Sequence, residues 1–299
     1  MAFITVIVHY NAPIECADFV IDLVNSVEQH PIVIVDNNSE NKNIEILKHR
    51  LKNINAEILE LNENNGFGAG INYGVKYGQR YNPNFIHIIN TDVKLINPNY
   101  IKDLINILEK KPIISIVGPT VYKNTKKEIQ NTILPFPSLK KAILFKNIAN
   151  QSYDSDKIEI TETDAINGVC FIVRNKHFIE VNGFTESYFM YGEEQDLAFK
   201  ILKKGYKSAY ITIPSIIHYG ADIPQKKVID WKFMAVRVNQ IRFISIHKSK
   251  FEAILLSFYF LFTIIQKRVS GYNYVNESFW KIVKSFFHTI YYPKRNFYM

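Results

Sequence analysis

Cysteine is nearly missing. Cys16 and Cys170 are the only two in 299 residues, far apart and without metal-ligand spacing, which argues against a disulfide framework and makes a reducing compartment the default. The opening run MAFITVIVHYN has no basic region before it and no small-residue cleavage site after it. It therefore reads as a strand rather than a signal peptide, and a cytoplasmic location is expected. No apolar run reaches the ~20 residues that span a bilayer. FEAILLSFYFLFTIIQKR (251 to 268) comes nearest, but it is shorter and contains Glu252. Acids are scarce in the last quarter: from Lys226 to Met299, 13 Lys or Arg stand against Asp230, Glu252 and Glu277, a net charge of +10 that leaves −2 for residues 1 to 225. A nucleic-acid footprint would be interleaved with the fold instead of confined to one segment, so no nucleic-acid partner is expected.

What is present is a chain with 47% hydrophobic residues, enough for one large core or a main domain with an appendage. Residues 1 to 120 alternate β-branched runs with helical periodicity. FITVIVHY (3 to 10), PIVIVDN (31 to 37), AEILELN (56 to 62), NFIHIIN (84 to 90) and IISIVGP (113 to 119) read as strands. Amphipathic segments lie between them, which implies right-handed crossovers and a mostly parallel, doubly wound sheet. Ligands of such sheets bind beyond the carboxyl ends of the strands. There the chain places HYNAP, DNNSE (36 to 40), NENNGFGAGINYG (62 to 74) and NTDV (90 to 93), polar and small residues gathered on one edge.

Each of these has a plain structural use. DNNS is a good helix cap, and NTD a turn former. GFGAGINYG misses the dinucleotide fingerprint, with Ile71 where the third glycine belongs, yet its glycines still let backbone approach a phosphate or ribose. Asp92, directly after an apolar strand, can hold a hard divalent cation against a diphosphate. Residues 123 to 164 loosen into Lys, Asn, Ser and Pro, including LPFPSLKK, an insertion or a loop near the acceptor side. Regularity returns with the strand AINGVCFIVRN, the short helix KHFIEVNGF, the acidic segment MYGEEQDLAFK (190 to 200) and the strand KSAYITI. Glu193, Glu194 and Asp196 fall in the first turn of a helix, where the dipole favours acids, and Asp196 can pair with Lys200.

Taken in order, VIVHYNAP, IVIVDNNSE, NNGFGAGINYG, IINTDV, INGVCFIVRN, GFTESYFMYGEEQDLAFKILKKGYK and IIHYG resemble the family 2 inverting glycosyltransferases with a GT-A fold. The likeness is closest to the rhamnosyltransferase-like and galactofuranosyltransferase-like members that build bacterial surface polysaccharides, and it covers about residues 3 to 220. It implies an α/β fold with a mostly parallel central sheet and helices on both faces, plus a C-terminal helical appendage. The expected division is a catalytic domain over 1–225, with a nucleotide half (1–122) and an acceptor half (123–225), followed by a basic, aromatic helical region over 226–299.

The resemblance also implies roles. Asp36 and Asn38 in VDNNS, with His9, Tyr10 and Asn11, would line the nucleotide pocket; Asn65, Gly66, Phe67 and Asn72 would face the nucleoside or sugar-diphosphate. Asn90, Thr91 and Asp92 would stand at the DXD motif, with Asp92 binding Mg or Mn and His218 completing the metal shell. Glu194 would be the catalytic base, with Glu193 or Asp196 capping the helix and orienting the site, and Phe189 and Tyr191 a wall for a sugar ring. Two positions depart from the family pattern: Asn90 stands where the first DXD acid belongs, and Glu194 where the base is an Asp.

The expected activity is inverting transfer from a nucleotide-diphospho-sugar, of the dTDP-rhamnose or UDP-hexose type, to a cell-surface glycan or lipid-diphosphate-linked precursor. The alternative is an inactive nucleotide- or glycan-binding subunit, which Asn90 and Glu194 keep open. A nucleotidyltransferase is disfavoured, because the N-terminal loop lacks a Gly-rich, Arg- and Lys-bearing phosphate clamp. The C-terminal segment mixes Lys and Arg with Trp, Phe and Tyr, a composition suited to peripheral contact with an anionic membrane at its inner face. A helical hairpin closing the core or a homodimer contact is the competing reading.

Overall fold

The computed structural model describes residues 2–97, 99–143, 159–222, 226–269 and 279–294. The five expected strands are all present, as β1 (Phe3–His9), β2 (Ile32–Asp36), β3 (Glu57–Glu60), β4 (Phe85–Ile89) and β6 (Ile114–Tyr122), and a sixth, short strand, β5 (Val93–Leu95), lies between the last two. Strand β5 was not foreseen. Between them run α1 (Pro13–Ser26), α2 (Asn41–Arg50), α3 (Phe67–Gly78) and α4 (Tyr100–Lys110). Each has an apolar stripe at helical spacing; on α4, Ile101, Leu104, Ile105 and Leu108 are all buried.

The second half adds β7 (Ile133–Leu134), α5 (Leu139–Ile143), β8 (Ile160–Thr163), β9 (Ala165–Ile166), β10 (Cys170–Arg174), α6 (Asn175–Glu180), α7 (Glu193–Lys203) and β11 (Lys207–His218). The main sheet runs β3-β2-β1-β4-β10-β6-β11-β5, with β8 also on β11. Its first four strands are parallel, and β6 and β11 are parallel to each other. Strand β10 enters antiparallel between β4 and β6, while β5 and β8 lie antiparallel to β11. Within 123–164, residues 144–158 lie outside the described part.

Apolar cores form on both faces of the sheet. One holds Ile7, Phe19, Leu23, Leu47 and Leu104; the other holds Val6, Ile71, Phe171, Phe184 and Leu197. A third, around Phe243, Leu256, Phe260 and Phe286, is built by α8 (Lys226–His247), α9 (Lys250–Val269) and α10 (Phe279–Tyr291). Phe136 and Phe199 join it to the sheet domain, so these helices pack against the part of that domain that follows β6.

Candidate active site

At the carboxyl ends of β1 and β2, His9 Nδ1 lies 2.7 Å from Asp36 Oδ1, and the Ser39 N–H donates to Asp36 Oδ2 at 3.0 Å. Burial pushes the Asp36 pKa up, but these hydrogen bonds outweigh it and hold the carboxyl below its ordinary value. Asn11 adopts a left-handed backbone (φ 56°), donates its N–H to Ser39 Oγ and accepts from Glu40 N and Asn43 Nδ2. Tyr10 and Asn38 are exposed beside this network.

Asn37 Nδ2 donates to Asn64 Oδ1 (2.8 Å) and to the Gly66 carbonyl (3.1 Å), drawing the glycine loop onto the same edge. Asn65 is half-buried and donates to Glu63. Gly66 sits at φ 89°, and a Cβ there would lie 2.1 Å from the Phe189 carbonyl oxygen. Asn72 faces the other way: its amide donates to the Phe184 carbonyl (2.9 Å) and accepts from the Phe184 N–H (2.8 Å), so it clamps the turn before the acidic segment.

At the ends of β4 and β11, Asp92 and His218 meet, with Nε2 3.0 Å from Oδ2. His218 Nδ1 is 2.8 Å from Gln130 Oε1. With Nδ1–H donating to that oxygen, Nε2 turns its lone pair toward the Asp92 carboxylate, so both atoms can face one cation. Asp92 Oδ1 is buried with no hydrogen-bond partner among the described residues. The imidazole nitrogen and the unpartnered carboxylate oxygen are donors of the kind a divalent cation takes; among the described residues no three His, Cys, Asp or Glu converge on one point. A Cβ on Gly220 would fall 1.9 Å from Asp92 Oδ2, so the chain must be bare there. Thr91 Oγ1 donates to Glu15 in the first turn of α1, and the Asn90 N–H to the Val169 carbonyl.

Val169 follows Gly168, whose N–H donates to Glu194 Oε1 at 2.8 Å. These two residues therefore bridge the Asp92 end of the site to the acidic turn. That turn begins at Gly192 (φ 96°), and its three acids have different surroundings. Burial raises the Glu194 pKa above its ordinary value. Glu193 is raised further, by burial and by the neighbouring Glu194 charge, and its Oε2 has no partner among the described residues. For Asp196, burial pushes upward, but His247 (2.7 Å), Lys200 (3.3 Å) and Thr185 (2.6 Å) pull harder and lower its pKa. Asp196 thus ties α7 to α8 through the His247 hydrogen bond, and its expected Lys200 partner on α7 is present.

Several neighbours of these residues were not foreseen. Gln130 lies in the segment that had no readable pattern. Trp231 joins the aromatic wall, its ring 6.3 Å from Phe189 and 5.8 Å from Tyr191. Asn239 Nδ2 donates to the Met190 and Tyr191 carbonyls (2.9 and 2.6 Å), and Arg242 donates to the Ser187 carbonyl. Polar residues buried within an otherwise apolar stretch, VRVNQIRFISIH, were the available signal. The C-terminal helices thereby hold the loop that presents Glu194.

The sequence model described as Glycosyl transferase family 2 matches residues 5–180, and the chain belongs to that family. It is 24% identical over 208 residues to the N-acetylglucosaminyl-diphospho-decaprenol L-rhamnosyltransferase of Mycobacterium tuberculosis, covering 64% of this chain and 66% of that protein. It is 26% identical over 167 residues to rhamnosyltransferase WbbL of Escherichia coli, covering 52% of this chain and 61% of that one. The matches thus span about two thirds of these relatives or less. Among solved structures, the mannosyltransferase PcManGT from Pyrobaculum calidifontis in complex with GDP-Man and Mn2+ superposes with TM-score 0.56 at 12% identity, over 81% of this chain and 61% of that one. S. aureus TarS 1-349 in complex with UDP-GlcNAc gives 0.53 at 10% identity, over 97% and 82%. The shared fold is GT-A.

Proposed function

We propose that this family 2 glycosyltransferase moves a sugar, rhamnose or a hexose, from its nucleoside diphosphate to a hydroxyl of a lipid-diphosphate-linked or cell-surface glycan, with inversion. The observation that carries the reading is Glu194: a buried carboxylate of raised pKa, fixed by the Gly168 N–H, on the same edge as the glycine loop and Asp92. The names of the two relatives support rhamnose, and that of the mycobacterial one supports a lipid-diphosphate acceptor. Such an acceptor sets the site of action at the inner face of the cell membrane.

In this mechanism Asp36, His9 and the backbone at Asn11 form the floor of the nucleoside pocket, and the Gly66–Phe67 loop brings bare backbone to the diphosphate. Asp92 and His218 would hold a divalent cation, Mg or Mn. When bound, it offsets charge on the departing diphosphate. Glu194 takes the proton from the acceptor hydroxyl as that oxygen forms its bond to the anomeric carbon. The bond from that carbon to the diphosphate oxygen breaks in line, and the nucleoside diphosphate leaves on the opposite side. The wall of Phe189, Tyr191 and Trp231 faces the acceptor sugar. Asn90, standing where an acid would add a second negative charge, would leave Asp92 as the anionic side chain facing that cation.

Calorimetric titration with UDP, dTDP and GDP, each with Mn and with EDTA, tests the donor class. E194Q should keep nucleotide binding and lose turnover, and the product's anomeric proton coupling should report inversion. Retained configuration, or full activity in E194Q, rejects the mechanism.

A further inference from the structure

We propose that the paired outer faces of α9 and α10 are a docking surface for an anionic lipid bilayer. The proposal stands on that surface alone and does not depend on the identity of donor or acceptor.

On α9, Phe251, Leu255, Phe258, Phe262 and Ile265 recur every three or four residues and so form one line down the helix. They are 39 to 69% exposed, while Ala253, Leu256, Phe260 and Ile264 on the opposite side are buried in the third core. On α10, Trp280 (77% exposed), Lys284, Phe287 and Tyr291 share a face at the same spacing. The two helices run antiparallel: Lys250 Nζ stands 5.6 Å from the Tyr291 ring, and Phe258 lies 6.1 Å from Phe287. Their apolar lines therefore join into one surface. A contiguous patch of large apolar side chains marks an interaction site, unlike isolated exposed residues.

Charge selects the occupant. Lys248, Lys250, Lys281, Lys284 and Lys294 are all exposed on or beside these helices. Among the described residues of α9 and α10, Glu252 is the only acid. A two-fold contact with a second copy would set these lysines against their own symmetry mates. Anionic head groups instead complement them. The aromatic chemistry agrees, since Trp280 and Tyr291, near the helix ends, carry an apolar body with a polar tip suited to the head-group level. No described helix is long and apolar enough to cross a membrane. The α9–α10 pair would lie in the plane of the interface, with α9 contributing about 30 Å of length. Just beyond α10, the Pro293 carbonyl accepts from Ser187 Oγ at 3.0 Å. Docking this surface therefore holds the loop that leads to Glu194 close to the bilayer, where a lipid-linked acceptor would be presented.

The test is flotation of the full chain with vesicles of phosphatidylcholine alone and of phosphatidylcholine with phosphatidylglycerol. The protein should float with the anionic vesicles and much less with the neutral ones. F258E/F262E should lower the partition coefficient by about tenfold or more, the scale expected when two aromatic rings no longer bury in the interface. K281E/K284E should weaken binding and flatten its salt dependence. Melting temperature and nucleotide titration verify that each variant is folded. The proposal is overturned if the wild type ignores anionic vesicles or if F258E/F262E floats as well as wild type. It is also overturned if light scattering shows a micromolar dimer that F258E/F262E splits, because the surface is then a subunit contact. Flotation without nucleotide binding would reject the transferase mechanism alone, and nucleotide binding without flotation would reject the docking surface alone.

Discussion

The backbone N–H of Phe67 donates to the carbonyl of Phe189 at 3.0 Å, tying the glycine loop at the nucleotide edge to the aromatic segment that leads into Glu194. Gly66 permits this contact twice over, through its positive φ and through the missing side chain that would overlap Phe189. Gly66→Ala should lose about 1–3 kcal/mol from the backbone alone, because φ 89°, ψ 177° lies in a region essentially restricted to glycine. Nucleotide affinity should fall along with turnover, since both halves of the site move. An unchanged melting temperature together with wild-type nucleotide affinity would show that the link is dispensable.

Gln130 should tune the cation site without touching the cation. It fixes the His218 ring through Nδ1, leaving Nε2 to face Asp92. Removing such an outer partner typically weakens metal affinity by about 10–100-fold. Gln130→Ala should therefore shift Mn-dependent nucleotide binding to higher Mn while binding in EDTA stays the same. Gly220→Ala, whose Cβ would overlap Asp92 Oδ2, should abolish the Mn-dependent part outright. Equal loss with and without Mn would place His218 and Asp92 outside the cation site.

Much of this edge was legible because single residues follow strand ends. Apolar runs located β1, β2, β4 and β6, and the polar residues after them, Asp36 and Asp92, had to lie where those strands stop. Strand direction was not legible: nothing in CFIVR distinguishes a parallel β10 from the antiparallel one observed, because direction is set by tertiary pairing with β4 and β6 and not by the strand's own residues. Side-chain partners across long loops were equally hidden. Asn72 was expected toward the ligand, but its spacing on α3 matches the Phe184 backbone, and the amide satisfies both groups there. Periodicity also could not show that α8 would deliver Asn239 and Arg242 to residues 187–191, since polar residues on a helix announce burial only once their partners are known.

The acidic turn should respond to neutralisation in opposite ways. Glu193 is buried with a raised pKa, so its charged form costs stability once pH exceeds the ordinary carboxylate range, and that cost disappears below it. Glu193→Gln should raise the melting temperature at neutral pH, with the gain shrinking toward pH 4.5. Asp196 has a lowered pKa, so it contributes stability above its ordinary value and loses it as pH falls through the folded one. Asp196→Asn should cost about 3–5 kcal/mol at neutral pH, the scale of removing one partner from a buried charged pair, and less in acid. A double-mutant cycle with His247→Ala should show coupling between the two positions.

Catalysis should reveal Glu194 through the acid limb of its pH profile. A base works only when deprotonated, and the limb of kcat/KM reports that group in the free enzyme. Because burial raises the Glu194 pKa above 4.5, activity should fall by half at a pH above that value as acid is added. Glu194→Gln should remove the limb and about 10²–10⁴ of the rate, the usual contribution of a positioned base. Glu194→Asp retracts the carboxylate by one methylene, out of reach of the Gly168 N–H, and loses a hydrogen bond that favours the charged form. If Glu194 is the base, this variant should retain part of the rate and keep an acid limb at a shifted position, whereas a purely structural acid would change stability and leave the limb where it was.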